Sequence, residues 1–465
     1  MNSNGSETAF KTGGRIVIVG ASLAGLRAAE TLRAEGFTGH LTMIGDEPYQ
    51  PYDRPPLSKQ VQTGWVPADH TTLPRREPLA DVEWRLGVAA TSLDLANKRV
   101  RLADGQDIDF DRLLIATGTR ARPWRNETEA ALDGVFSLRG RDDARRLQQR
   151  LAARPPRVLV IGAGFTGSEI ASVCCDRGLP VTVVELGSAP LAGALGAEIG
   201  AIAAEMQRQH GVDLRCQVKV TQLEGDANRH LQRAQLSDGS TIDTDVAVVA
   251  LGSIRNTEWL RGSGLAAGFF GVGCDVGCRA FDINGMVTVD VFVAGDVARF
   301  PHPLYEYHFL ALEHWGNAVE QAEIAAHNMV SAATDRRPHL WIPAFWSIQF
   351  GVNIKSVGVP PFAEEVVVTQ GSVKDHRFAA AYGHRGRVVA AVTFNQAKWL
   401  EFYQELIETA APFPPTFHAA DQPTGMQPVP AAFPDPATPT YDTNVVLTGH
   451  APSERRAMYV PRHPQ

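Results

Sequence analysis

The chain has 465 residues, 44% of them hydrophobic and 20% charged, the composition of a soluble globular protein of about three domains rather than a disordered or fibrous one. A net charge of −7 excludes a generally basic nucleic-acid binder, and no apolar run approaches the roughly 18 residues of a membrane helix. Five cysteines without tight spacing, and a polar first segment lacking the apolar core of a secretory signal, point to a reducing cytoplasm.

Arg15 to Gly20 (RIVIVG) is an apolar, β-branched run that stops at glycine. Leu and Ala then recur at helical spacing from Leu23 to Gly36, and His40 to Gly45 (HLTMIG) is a second strand. Such a strand, helix, strand run is one parallel crossover unit. The unit recurs at Arg157 to Glu185, with strands RVLVIG and PVTVVE around a helix from Thr166 to Gly178. Two such units in one chain imply two nucleotide-binding folds. Arg112 to Gly118, Val246 to Gly252 and Val291 to Asp296 are further strands, and Leu102 to Gly105 and Leu236 to Gly239 read as hairpin turns. Beyond residue 330 the strand-like pieces are short, at 343–351, 366–368, 377–382 and 387–392, followed by a helical stretch at 397–409. They predict an α+β domain with an antiparallel sheet. Twelve of the thirty prolines fall after residue 411, which predicts an extended or partly disordered tail.

The first glycine loop is Gly20-Ala21-Ser22-Leu23-Ala24-Gly25. It follows a strand and opens a helix, as a dinucleotide site requires. Gly20 permits the tight turn and Gly25 close helix packing, while Ser22 stands where the fingerprint prefers glycine. Backbone N–H groups and the positive helix end would hold a pyrophosphate. Asp46 and Glu47 end the second strand, where a carboxylate accepts ribose hydroxyls. The second loop, Gly162-Ala163-Gly164-Phe165-Thr166-Gly167, is an unbroken GxGxxG, and Glu185 ends its second strand. A carboxylate there bonds the 2′-hydroxyl of NADH and repels the 2′-phosphate of NADPH. No Arg occurs in residues 186–194 to rescue the phosphate form. NADH is therefore expected rather than NADPH. A single loop of this kind is also an ordinary close turn between strand and helix; two in matching context are a stronger signal.

With both loops in hand, the blocks GASLAGLRAAETLR, PYDRPPLSK, LLIATGTR, GAGFTGSE, VALGSIRNTEWL, VFVAGDVARFPHP, EHWGNAVEQA and PAFWSIQFG follow in order. Over residues 14 to about 415 the chain resembles the FAD-dependent NAD(P)H:ferredoxin reductases of cytochrome P450 and dioxygenase systems. The resemblance implies an α/β, glutathione-reductase-like fold: two Rossmann-like domains, for FAD and NADH, and a C-terminal α+β interface domain. The expected boundaries are 14–122 and 249–330 for FAD, 123–248 for NADH, 331–415 for the interface domain and 416–465 for the tail. Hydride would pass from NADH to FAD, then single electrons to an iron–sulfur ferredoxin serving a cytochrome P450 or ring-hydroxylating oxygenase.

The resemblance also implies residue roles. Arg54 and Lys59 would serve FAD, with Lys59 near the flavin N5, and Glu169 would lie by the nicotinamide and pair with Lys59. Asp296, after Gly295, would take the ribityl chain. Arg139, Ala90, Ala116, Thr117, Gly118 and Gly252 would line the cofactor clefts, and Trp315 would cover the flavin. Each has a plainer reading: exposed cations in a Pro-rich turn, a helix N-cap at Asp296, a helix-start acid at Glu169, a core aromatic at Trp315. His314 reads as a structural histidine. Two departures stand out, Ile348 where many relatives carry Asp and Gly193 where they often carry Arg.

No cysteine occurs in residues 37–65, which disfavours thiol–disulfide chemistry. Cys274 and Cys278 lack a second pair of ligands, so no metal is expected. Residues 112–157 hold eleven Arg against five acids. They form either a docking face for an acidic ferredoxin, tested by charge reversal at Arg122, Arg125 and Arg141, or a solvated face laced with salt bridges. The alternatives to a ferredoxin reductase are an NADH oxidase or quinone reductase, and an NADH-sensing flavoprotein of the apoptosis-inducing-factor type. A cytoplasmic monomer or homodimer is expected.

Overall fold

A computed structural model describes residues 10–77, 79–415, 443–448 and 456–461, in two compact units. The first comprises residues up to 53, 72–121 and 253–345; the second comprises 54–71, 122–252 and 346 onward.

The first unit is built on a six-stranded sheet in the order Arg279–Phe281, Val287–Val293, Arg112–Ile115, Arg15–Val19, His40–Gly45, Glu83–Leu86. All neighbours are parallel except the Arg279–Phe281 edge. The run RIVIV is apolar at every interior position because both faces of the sheet are covered. Ile16 and Ile18 enter one core, with Leu26, Leu32 and Phe37. Val17 and Val19 enter the other, with Phe110, Leu113 and Phe300. Helix Leu23–Ala34 packs on helix Trp315–Val330, and the alanines of both, such as Ala28, Ala29, Ala322 and Ala325, are fully buried where they meet that first core. Strand Arg15–Val19 lies between His40–Gly45 and Arg112–Ile115, so the chain leaves it at the point where the strand order reverses. In open parallel sheets a ligand crevice forms at that point.

The second unit carries a five-stranded sheet, all parallel, in the order Asp213–Cys216, Val181–Glu185, Val158–Ile161, Val246–Val249, Val135–Ser137. An antiparallel meander, Val220–Gly225, Leu231–Leu236 and Thr241–Asp243, shares its core through Leu223, Leu231 and Leu236. A second five-stranded sheet runs Ala344–Gln349, Val352–Gly358, Arg387–Phe394, Arg377–His384, Glu365–Ser372. The neighbours among its last four strands are antiparallel, and cross-strand partners Phe378 and Phe394 stack at 4.5 Å. Helix Leu400–Glu408 contacts this sheet.

Two parallel Rossmann-like sheets and a C-terminal antiparallel sheet are the expected fold class. The tail from residue 416 lies outside the described residues, except for the strand pair Thr443–Thr448 and Arg456–Pro461. No helix among the described residues is long and apolar enough to cross a membrane.

Candidate functional site

In the first unit, the loop after Arg15–Val19 turns at Gly20, whose φ of +124° belongs to glycine. A β-carbon there would meet the Ala116 carbonyl oxygen at 2.1 Å, and one at Gly25 the Gly20 oxygen at 2.0 Å. The loop is thus clamped between the Ala116–Thr117 backbone and the first helical turn. Ser22 is the N-cap of helix Leu23–Ala34, in extended conformation, and its side chain makes no cap bond. The first N–H groups, at Leu23, Ala24 and Gly25, therefore receive no cap from it, which suits a diphosphate at the positive helix end.

Other expected residues gather in this unit. Thr117 and Asn256 exchange two 2.8 Å hydrogen bonds, each side chain to the other's backbone, and Gly118 accepts from the Asn256 N–H. Asp296 accepts from the Thr119 hydroxyl at 3.4 Å, and the Gly295 N–H donates to buried Gln321 at 2.9 Å. Trp315 donates its indole N–H to Asp53 at 2.9 Å. Glu47 accepts from the Tyr52 hydroxyl; Asp46 is exposed. Ala90 begins an antiparallel strand, Ala90–Asp94, and packs on the second core of this unit. Its neighbours pull the His314 imidazole down to about 4, mainly by desolvation, so it is neutral near pH 7 and suits the structural reading.

The loop of the second unit repeats the first. Gly162 has φ +99°, with its missing β-carbon 2.5 Å from the Ala250 oxygen, and that of Gly167 is 1.9 Å from the Gly162 oxygen. Gly164 faces open space, and as N-cap of helix Phe165–Asp176, whose first turn carries Thr166, it offers no side-chain cap. That is the cradle a pyrophosphate needs. The Glu185 carboxylate accepts the Ala163 and Gly187 N–H groups, both at 2.6 Å, so it sits against the loop itself. Gly252 accepts from the Arg122 N–H.

This unit also holds a buried charge cluster. The Lys59 ammonium lies 2.8 Å from Glu169, with only 14% and 6% of the two side chains exposed. Glu169 also accepts from Ser58 at 2.5 Å and from Ser347 at 2.6 Å. Ser347 in turn receives the Gln349 amide at 3.1 Å. A carboxylate with one cation and two hydroxyl donors is held in a single orientation. Arg54 donates to the Arg139 carbonyl at 3.0 Å. Hence Lys59, Glu169, Arg54, Arg139, Glu185 and the second loop share one unit, whereas the first loop, Asp296 and Trp315 share the other. Gly193 lies in the short helix Ala192–Leu195, and Ile348 in strand Ala344–Gln349.

Sequence reasoning missed Ser58, Ser347, Asn256 and Gln321. Ser58 and Ser347 do lie inside the distinctive blocks, at DRPPLSK and FWSIQ, but as neutral hydroxyls beside charged and aromatic neighbours. One proposed docking cation needs correction. Arg141 is only 5% exposed and donates to Thr71 at 3.2 Å, so it offers no surface charge. Other arginines of the stretch pair locally: Arg120 with Glu258, Arg145 with Asp69 and Asp142, Arg146 with Asp143, and Arg157 with Asp245. That pattern favours the solvated, salt-bridged face.

Burial disfavours the thiolate forms of the cysteines. Burial pushes Cys174 up to about 12 and Cys175 to about 11, and raises Cys274 and Cys278 as well. Among the described residues, no group of three or more His, Cys, Asp or Glu side chains could hold a metal ion.

Comparison with known proteins gives concordant findings. Residues 14–322 match the pyridine nucleotide-disulphide oxidoreductase family model, and residues 344–429 match a reductase C-terminal model. The ferredoxin–NAD(+) reductase component of the biphenyl dioxygenase system of Paraburkholderia xenovorans is 32% identical over 85% of this chain and 93% of its own. Human apoptosis-inducing factor 3 is 30% identical over 83% of this chain, which spans only 62% of that longer protein. The reductase fold in a covalent putidaredoxin reductase–putidaredoxin complex superposes with a TM-score of 0.79, at 28% identity over 86% of this chain and 94% of the other.

Proposed function

The chain belongs to the pyridine nucleotide-disulphide oxidoreductase family, and from that premise we propose that it is an FAD-containing, NADH-dependent ferredoxin reductase of an oxygenase system. The observation that carries the reading is the pair of dinucleotide loops, each with an uncapped helix start, in a chain that also buries the Lys59–Glu169 pair and has no cysteine in residues 37–65.

FAD, when bound, supplies a hydride acceptor that can release electrons one at a time. Residues of this chain would have separate tasks. Leu23, Ala24 and Gly25 would present N–H groups to its pyrophosphate, and Glu47 and Asp296 would offer carboxylates to its ribose and ribityl hydroxyls. Gly164 to Gly167 would do the same for the pyrophosphate of NADH. Glu185 would set the preference, since a carboxylate accepts ribose hydroxyls and repels a 2′-phosphate. In this reading Lys59 would supply positive charge to favour a reduced, anionic flavin, and Glu169 holds the ammonium at 2.8 Å. Burial raises all five thiols above their ordinary value, so none is poised as a thiolate near neutral pH.

The acceptor is inferred from relatives whose names tie them to ferredoxins and dioxygenases. The test is to purify the protein, record its flavin spectrum, and titrate NADH and NADPH with several ferredoxins, using cytochrome c as reporter. NADH should be preferred and turnover should depend on ferredoxin. A colourless protein that binds no FAD would sink the reading. The likeness to apoptosis-inducing factor 3 favours one second reading, an NADH-sensing flavoprotein. Slow turnover with every ferredoxin, a stable charge-transfer band and an NADH-dependent change in oligomeric state would support that reading instead.

A further inference from the structure

One feature of the first unit lies outside both glycine loops. A small four-stranded sheet runs Ala267–Gly268, Gly271–Gly273, Ala298–His302, His308–Leu310. Along Ala298–His302 the side chains alternate: Ala298, Phe300 and His302 are buried, and Arg299 faces the other way, half-buried. On that side lies a cavity of about 410 Å³, walled by Phe270, Phe281, Ile283 and Phe309, with Arg299 and Asp282 as its charged groups. None of these residues belongs to either glycine loop.

The state of Arg299 is unusual. Its guanidinium lies between two rings, 5.4 Å from the centre of Phe270 and 5.3 Å from that of Phe309. Among the described residues it has no carboxylate partner and its guanidinium makes no hydrogen bond. A guanidinium is always charged and carries five N–H donors in a planar fork. Ring faces satisfy part of its charge but none of those donors. Asp282 does not serve it: its carboxylate accepts the Met286 and Asn284 N–H groups, both at 2.8 Å, and these bonds lower it from the usual carboxylate value. The rings themselves are costly to expose. Phe270 is 64% exposed, Phe309 44% and Ile283 73%, so apolar walls surround a single unpaired cation.

We infer that this cavity is a binding site for a small aromatic monocarboxylate. The carboxylate would take the guanidinium fork in a bidentate pair, and the ring would lie against Phe270, Phe281 and Phe309. A volume of about 410 Å³ is in the range of pockets that hold small organic ligands. Asp282 at the same rim repels any anion, and a phosphate dianion about twice as strongly as a monocarboxylate. A neutral arene would gain the ring contacts but no charge-assisted bond to the guanidinium. The site is separate from the proposed nucleotide sites and stands whether or not the ferredoxin reading does.

The test uses the purified full-length flavoprotein, with benzoate and 2-naphthoate as probes. Saturation-transfer NMR and calorimetry should show saturable binding, with 2-naphthoate tighter than benzoate. Benzamide and inorganic phosphate should bind at least about tenfold more weakly, because each loses either the charge or the ring contact. Arg299→Met should lose about tenfold or more in affinity for 2-naphthoate, and Phe309→Ser several-fold, with the flavin spectrum unchanged in both. Since Arg299→Met also alters a half-buried position, Asp282→Asn provides an independent arm. It keeps an acceptor for the turn, removes the rim charge, and should tighten 2-naphthoate and admit phosphate. Absence of saturable binding would overturn the proposal, as would equal binding of benzamide or indifference to both Arg299→Met and Asp282→Asn. So would a concentration-dependent dimer in analytical ultracentrifugation that Phe270→Ser dissolves and 2-naphthoate leaves unchanged, since the face would then belong to a second copy.

Discussion

Replacing Lys59 by Met keeps the aliphatic stem and removes the ammonium that sits 2.8 Å from Glu169. At an effective dielectric of about 20, that separation corresponds to roughly 6 kcal/mol of gross attraction. Desolvation cancels part of it, and removing one member of a buried pair costs about 3–5 kcal/mol because the other charge is left uncompensated. Here the loss should fall toward about 3 kcal/mol, since Ser58 and Ser347 still donate to the carboxylate, each bond to a charged group being worth about 1.5–3 kcal/mol. Glu169→Gln should cost a similar amount, leaving Lys59 with the Pro55 carbonyl at 3.2 Å and the Ser58 hydroxyl at 3.4 Å. The double variant removes both charges together and should cost about 1–3 kcal/mol less than the sum of the singles. Urea unfolding of the four proteins in the same salt measures that coupling. Additivity within about 0.5 kcal/mol would refute the reasoning, because the two groups would then not sense each other despite their contact.

Gly167→Ala places a carbon 1.9 Å from the Gly162 oxygen, whereas Gly164→Ala places one in open space. The first should destabilise the fold by about 1–3 kcal/mol; the second should leave melting within about 0.5 kcal/mol of the parent yet raise the KM for NADH, and equal behaviour of the two would contradict the loop's assigned geometry. Burial of His339 lowers its imidazole to about 3, so between that value and the unfolded value near 6.5 only the unfolded chain takes up the proton. Stability should therefore be full above about pH 6.5 and fall by about 1.4 kcal/mol per pH unit below it from this group, a slope that His339→Gln should reduce in urea titrations at several pH values. With Cys174, Cys175, Cys274 and Cys278 all held protonated, a thiol reagent at pH 8 should label these four only after urea is added, and fast labelling of any of them in the folded protein would show the burial to be wrong.

Much of the nucleotide architecture is legible before folding because its requirements are local. RIVIVG and RVLVIG are apolar throughout, since their strands are covered on both faces, and the glycines at Gly20, Gly25, Gly162 and Gly167 stand where any β-carbon would strike a backbone oxygen. The arginine-rich stretch was not legible in the same way. Counting charge from 112 to 157 gives a surplus, but Arg141 is buried on Thr71 and others find acids as distant as Asp245 and Glu258. Net charge along the chain says little about charge at the surface when partners come from elsewhere in the fold.

The same division holds at the centre of the site. The sequence by itself determined two crossover units with their glycine loops and terminal carboxylates, and the absence of a redox thiol beside the first helix, because backbone conformation and residue type decide those within a few neighbours. Only the tertiary structure decided that Glu169 meets Ser58, 111 positions away, and Ser347, 178 positions away, and that Arg299 stands between two rings without an acid. Hydrogen bonds and ion pairs between distant side chains leave no periodic trace in a sequence; they exist only where packing has brought the groups together and excluded the water that would otherwise satisfy them.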